Sequence, residues 1–477
     1  LGSAIKPLAV YGPAFDAGAS PATIIGNFPA PIQGWTKSPG YPYIGSSDYI
    51  GPLSIRQGIV SSLNVMAVRT LYEYVTPEVG AQYLINMDAV PSKINADGPG
   101  LALGTSTLTT IQTAAAFGAI AAGGEYIKPM SFTKVVDGDG NVVLNADTLR
   151  ETRRIYKESS AYMLVDVLTD AVNRGTGKRA RIDNMTVAGK TGTNSDYKSV
   201  YFAGMTPYYA AAVWVGHDDP SASTLKKGTG GEYAAPIWQA FMEPIHEGLP
   251  NKSIIDTPPS SLGLVRKTVC QVSGLLATDA CYADQTGHTP ITDWMLDENA
   301  PTTMCDMHAA VAICSESGAI ATQYCPESSV VGGAVVLINP GTYYDQFTDE
   351  ELSTGLTNYV RTMLPLDAYV ENMTDSYGRC LIHGYEGAAA GETDDGQSNY
   401  GDSFQTLREL RLQSQELRAE IKEFIDANSL ELSENSKLNV HMTQLDALAR
   451  GNSPDKLRQG IANARADYEA IRDKYLG

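Results

Sequence analysis

Three short stretches carry residue types able to do covalent chemistry. Ser3 and Lys6 form a Ser-x-x-Lys, which sets a hydroxyl and an amine on one helix face, a turn apart. A desolvated lysine there loses its proton more readily and can act as base toward the serine. Pro7 fits only near a helix start, so Ser3 falls at the positive end of the helix dipole, where developing negative charge is favoured. Ser62 and Asn64 form a Ser-x-Asn, a hydroxyl that can relay a proton beside an amide that can hold a carbonyl. Lys190, Thr191, Gly192 and Thr193 form a Lys-Thr-Gly-Thr that occurs once in the chain. A cation, two hydroxyls and a residue without a side chain suit an anionic, peptide-like ligand lying close to backbone. Each pattern alone is weak: Ser223 to Lys226 and Ser453 to Lys456 also read Ser-x-x-Lys, and Ser433 to Asn435 also reads Ser-x-Asn.

The flanking text predicts the elements that must hold these residues. β-rich apolar runs between turn residues, at Val187 to Thr193, Val200 to Met205 and Tyr208 to Gly216, predict a strand carrying Lys190 followed by hairpins. Leu53 to Asn64 has a helical pattern, and Pro29 to Gly51 is too rich in Pro, Gly and Tyr for anything but a surface loop. The chain has 477 residues, enough for about three domains, and its 43% apolar content supports a sizeable core. A net charge of −19 and a pI near 4.7 argue against a nucleic-acid partner, which requires clustered Lys and Arg. No apolar run in residues 1–477 reaches membrane-spanning length, and none of these residues is expected to serve as a signal peptide. Residue 1 is Leu, so the expectation is a fragment, with any anchor or export signal on a missing upstream part.

Order and spacing bring the three stretches together. Ser3/Lys6, then Ser62/Asn64, then Lys190/Thr191/Gly192 is the order of elements in penicillin-binding proteins and class A β-lactamases. Tyr49 to Arg56, Leu101 to Gly104, Gly123 to Pro129, Gly175 to Gly177 and Ala234 to Trp238 agree with it. From about Gly2 to Met242 the chain resembles the transpeptidase domain of class A, bifunctional penicillin-binding proteins. The resemblance implies an α/β fold of the serine β-lactamase and penicillin-binding-protein type: an antiparallel sheet flanked by helices, here expected to lack its N-terminal strands. It makes Ser3 the nucleophile and Lys6 its base. Ser62 and Asn64 become the relay and the substrate-amide contact, and Lys190 the electrostatic support. Thr191, Gly192 and Thr193 become the substrate-binding strand, with the backbone N–H groups of Ser3 and Thr193 as oxyanion hole. The implied reaction is serine acyl transfer on D-Ala-D-Ala stem peptides, with β-lactams as covalent mimics and no cofactor. A penicillin-binding sensor that is acylated without turnover is the alternative. A class A β-lactamase is disfavoured, because its Glu-x-x-Leu-Asn motif does not occur. Ser199-Val200-Tyr201-Phe202 stands where the family usually has an Asp-Ala-Trp-Phe-type run, and an incomplete sheet would make the sites properties of the intact protein. The implied place of work is the extracytoplasmic face of the membrane, with the anchor upstream.

The expected organisation is a transpeptidase domain over 1–256, a Cys-rich region over 257–386, a linker over 387–402 and a helical tail over 403–477. The Cys-rich region contains a repeat: Cys270 to Cys281 and Cys314 to Cys325 each frame a Ser-Gly-x-x-Ala-Thr. Two loops closed by their own disulfides are the simplest reading for an exported protein. Cys305-x-x-His308 and Cys380-x-x-His383 have zinc-pair spacing, but a third disulfide ranks ahead of free thiols and of zinc, so no metal is expected. Phe404, Leu407, Leu410, Leu417, Ile421 and Phe424 fall at helical spacing, and Ser453-Pro454-Asp455 reads as a helix cap. Two or three helices are expected there, as a solvated appendage or as a surface for a cell-wall-synthesis partner.

Overall fold

The computed structural model describes residues 1–27, 51–96, 98–194, 197–217, 225, 228–284, 288–317, 320–338, 363–365, 380, 383, 400–428, 434, 437–442, 444–445 and 454–476. The expected loop up to residue 50 and most of the expected linker lie outside them.

The chain enters through a helical run: a 3-10 turn (Gly2–Ile5), a π-helical segment (Pro7–Tyr11) and α1 (Gly12–Asp16). Between Ser3 and Asp16 its sequence is apolar except at Lys6, and a helix of that kind belongs in a core. Ala4, Ile5, Leu8, Ala9, Val10, Tyr11, Ala14 and Phe15 are all fully buried. Around them pack α3 (Asn64–Thr70), α4 (Pro77–Asn86), α5 (Gly100–Leu103) and α8 (Glu158–Asn173).

Between α1 and α3 lies an antiparallel pair, β1 (Ile24–Asn27) with β2 (Gly51–Ser54), then α2 (Ile55–Val60). Ser54 and Gln57 form a reciprocal capping box that fixes the start of α2. The helix predicted over 53–64 therefore starts later and stops at Val60, and Ser62 lies in the turn that follows. A second capping box, Thr109 with Gln112, starts the small-residue helix α6 (Thr110–Ala121). A peripheral section follows: β3 (Glu125–Ile127) pairs with β6 (Thr152–Arg154), and β4 (Lys134–Val136) with β5 (Val142–Asn145), with α7 (Ala146–Leu149) between β5 and β6.

The main sheet is antiparallel in the order β7 (Ala188–Thr193), β8 (Ser199–Met205), β9 (Ala210–Gly216), with Lys190 opposite Ala203. Successive strand residues point to opposite faces. Phe202 accordingly joins the cluster built on α9 (Ala234–Ile245), edge-on to Trp238 at 5.2 Å, whereas Ala203 joins the central-helix core. Helices cover both faces, which is why these strands read as continuous apolar runs.

Beyond residue 256, β10 (Leu264–Val269) pairs with β11 (Ile291–Leu296), and the short α10 (Asp279–Tyr282) lies between them in sequence. β13 (Val330–Ile338) pairs with β12 (His308–Cys314) and, in parallel, with β14 (Met363–Pro365). The cysteine reading is corrected here. Cys270, Cys281, Cys305, Cys314, Cys325 and Cys380 are all free, so neither loop is closed by a disulfide, and Cys305 and Cys380 sit in different clusters. Three sulfurs converge at each place with one histidine, an odd number that pairing cannot satisfy. In the tail, α11 (Tyr400–Ala427) begins before the expected boundary at 403, and α12 (Pro454–Leu476) begins at the predicted proline. The two share an apolar cluster with Leu438 and Leu445.

Candidate active site

The first predicted pair sits at the N-terminal end of the central helical run. Ser3 is half-buried and Lys6 has no exposed surface. The backbone just before Ser3 lies against the end of β7. A Cβ placed on Gly2, whose φ is +56°, would lie 2.5 Å from the Thr193 carbonyl oxygen, and one on Gly192 would lie 2.1 Å from the Leu1 oxygen. Only residues without side chains allow that approach, and it puts Ser3 beside the Lys-Thr-Gly-Thr strand.

The second pair comes in through the turn after α2. Ser62 has a φ of +60°, a left-handed conformation that costs a non-glycine residue about 1–3 kcal/mol. What holds it there is polar. Lys6 Nζ donates to the Ser62 carbonyl oxygen at 2.8 Å, to the Leu63 carbonyl oxygen at 3.3 Å and to Asn64 Oδ1 at 2.7 Å. Accepting from Lys6 assigns Oδ1 to the lysine side and turns the Asn64 amide nitrogen the other way.

The third stretch supplies the opposite wall. Lys190, also without exposed surface, donates from Nζ to Ser62 Oγ at 2.7 Å and to the Thr191 carbonyl oxygen at 3.3 Å. Ser62 is thus bonded through its carbonyl to one buried lysine and through its hydroxyl to the other. Burial lowers the Lys190 pKa to about 7. Burial first, and then the neighbouring Lys190 charge, hold Lys6 well below the usual lysine value. Thr191 and Thr193 lie on the same side of β7: Thr191 Oγ1 is 2.6 Å from Thr176 Oγ1, and Thr193 Oγ1 accepts from Gly230 N at 3.1 Å. Thr176 and Gly230 were not singled out from sequence. Thr176 lies within Gly175-Thr176-Gly177, but nothing in the sequence marks which hydroxyl it meets.

All three stretches therefore converge: Lys6, Ser62, Asn64 and Lys190 are joined by hydrogen bonds, and the backbone beside Ser3 packs against Gly192 and Thr193. A central buried helix carrying serine and lysine, a sheet edge carrying a second lysine and a serine turn between them define the class: the penicillin-binding transpeptidase fold. Residues 2–243 match the family described as penicillin binding protein transpeptidase domain, and residues 261–310 match penicillin-binding protein 1A, C-terminal domain. The chain belongs to the penicillin-binding protein transpeptidase family.

Penicillin-binding protein 1A of Clostridium perfringens is 35% identical over 326 residues, covering 65% of this chain and 37% of that protein. Penicillin-binding protein 1A of Clostridium botulinum is 34% identical over 337 residues, covering 68% and 39% respectively. The chain thus spans well under half the length of these curated relatives. The crystal structure of penicillin-binding protein 1A from Haemophilus influenzae shares the fold, with a TM-score of 0.53 and 23% identity over 64% of this chain and 49% of that one. Among the described residues no helix is long and apolar enough to cross a membrane.

Proposed function

We propose that the chain carries the acyl-transfer centre of a serine D,D-transpeptidase that cross-links peptidoglycan stem peptides. The observation that carries this reading is the pair of buried lysines meeting at Ser62, one of them a turn from Ser3. Lys6, once it has given up a proton and with it the longest of its three hydrogen bonds, the 3.3 Å one to the Leu63 oxygen, takes the proton of Ser3 Oγ as Oγ bonds to the carbonyl carbon of the penultimate D-Ala. The backbone N–H groups of Ser3 and Thr193 receive the oxyanion. The carbon–nitrogen bond then breaks, and the departing D-Ala amine takes a proton relayed through Ser62, whose hydroxyl Lys190 polarises. An acceptor amine attacks the ester, gives up its proton by the same route and frees Ser3. Asn64 holds the substrate amide, and Thr191 and Thr193 hold the terminal carboxylate. Water in place of the amine gives D,D-carboxypeptidase activity, and a β-lactam leaves a slow acyl-enzyme.

The substrate places this work on the extracytoplasmic face of the membrane. The proposed organisation is the transpeptidase unit over 1–256, the Cys-rich region over 257–386 and the helical tail, a candidate surface for a cell-wall-synthesis partner. The test is to supply a D-Ala-D-Ala donor peptide and an amine acceptor to the full chain. Cross-linked product and released D-Ala are expected. Stoichiometric penicillin labelling with neither product would favour the sensor, and absence of labelling would remove both readings.

A further inference from the structure

The geometry points to two structural zinc sites, and we propose that Cys270, Cys281, Cys305 and His308 hold one zinc ion and Cys314, Cys325, Cys380 and His383 a second. In each group the ligand atoms all lie within 4.8 Å of one another. His308 Nδ1 is 3.4 Å from the sulfurs of Cys270 and Cys305, and His383 Nδ1 is 3.5 Å from Cys314 and 3.4 Å from Cys380. A tetrahedral zinc with ordinary bond lengths sets sulfur and nitrogen about 3.6 Å apart, so both clusters are already at coordination spacing.

The surroundings repeat from one site to the other. A strand leads into the first cysteine in each, and the same bridge closes the turn beyond it, Val269 with Leu276 and Ile313 with Ile320. Cys305 N donates to the Leu276 oxygen and Cys380 N to the Ile320 oxygen, both at 2.8 Å. Thr278 N donates to Cys281 Sγ at 3.4 Å and Thr322 N to Cys325 Sγ at 3.3 Å; Val272 N and Ser273 N donate to Cys270 Sγ at 3.3 and 3.4 Å. Such N–H groups favour thiolate. The far ring nitrogen of each histidine faces a carboxylate, His308 Nε2 at 3.5 Å from Asp284 and His383 Nε2 at 3.3 Å from Glu316, the usual outer support of a metal-bound imidazole. One strand joins the sites: β12 begins at His308 and ends at Cys314, so they sit about 20 Å apart at ~3.3 Å per residue.

Four protein ligands leave no open position, which makes the role structural. Binding releases thiol protons and needs no oxidant, whereas disulfides would need one and would strand a thiol in each cluster. The proposal is independent of the acyl-transfer reading and has its own readouts.

Zinc in the purified full chain is measured by elemental analysis, and thiols are counted by alkylation before and after unfolding. Two zinc ions per chain are expected, with the six thiols protected when folded and all alkylated when unfolded. Cys305→Ser and Cys380→Ser should each lose one equivalent. Cobalt loading of the unaltered chain reads the same ligands without a variant, through thiolate-to-cobalt charge transfer and the visible bands of tetrahedral cobalt. Fewer than two equivalents of metal, disulfides in the intact mass, or a cobalt-loaded chain lacking those bands would overturn the proposal.

Discussion

At the scale of single residues, the account turns on two ammonium groups taken out of water. Lys6 is held well below the ordinary lysine pKa by burial and then by Lys190, so it can be neutral and accept the Ser3 proton. Burial brings Lys190 to about 7, and in the proposed mechanism it supports Ser62 only while it stays charged. Acylation by a penicillin should therefore follow a bell: low at acid pH, where Lys6 is protonated, and falling again above about 7 as Lys190 loses its proton. A rate that stays flat across both limbs would contradict this. Lys6→Ala should slow acylation by about 10²–10⁴-fold, and Lys6→Arg should not restore it, because a guanidinium keeps its proton. The same burial sets a stability trend. Between about pH 7 and 10.5 the unfolded chain binds a proton at residue 190 that the folded chain does not. Stability from this group therefore rises with pH across that window and is least below it. Urea midpoints at about pH 7 and about pH 9 should rise for the wild type and rise less for Lys190→Met; equal rises would remove Lys190 as the source.

At the scale of elements, the central helical run shows how much the sequence discloses. The spacing places Ser3 and Lys6 on one helix near its start; that the stretch from Ala4 to Phe15, apolar but for Lys6, runs through the core and takes its lysine with it is what the structure adds. The strand carrying Lys190 was equally legible from its apolar runs and turn residues. The Ser62 turn was not, because the helical pattern of Leu53 to Asn64 runs straight through it. Its left-handed serine is fixed by bonds from Lys6 and Lys190, which are distant in sequence. The cysteines misled for a similar reason. The loop ends Cys270/Cys281 and Cys314/Cys325 are visible as pairs, but the return of Cys305 and Cys380 to them is a tertiary fact. Gly192 gives this scale its test. Its Cβ would lie 2.1 Å from the Leu1 oxygen, so Gly192→Ala must push β7 away from the Ser3 turn. A loss of about 1–3 kcal/mol and a marked drop in penicillin labelling are expected; a variant with unchanged stability and labelling would show that the close approach is not needed.

At the scale of the whole molecule, Arg56 joins the parts. From α2 it bonds Asp293 on β11 through two nitrogens at 2.6 Å, Asp170 on α8 at 2.7 Å, and Asp166. Arg56 and Asp293 have side chains only 14% and 5% exposed, so removing the guanidinium strands a buried carboxylate. Arg56→Ala should cost about 3–5 kcal/mol in chemical unfolding and let β10 and β11 separate from the transpeptidase unit; a loss under about 1 kcal/mol would make it an ordinary surface pair. That clamp lies on the short helix that leads into the Ser62 turn, so it also ties the site turn to α8 and β11. The most direct measurement of the central claim is intact-mass analysis of the full chain and of Ser3→Ala after incubation with a labelled penicillin. A single adduct mapped to Ser3 and none on the variant is the predicted result. Equal labelling of both chains, or an adduct on another residue, would contradict it.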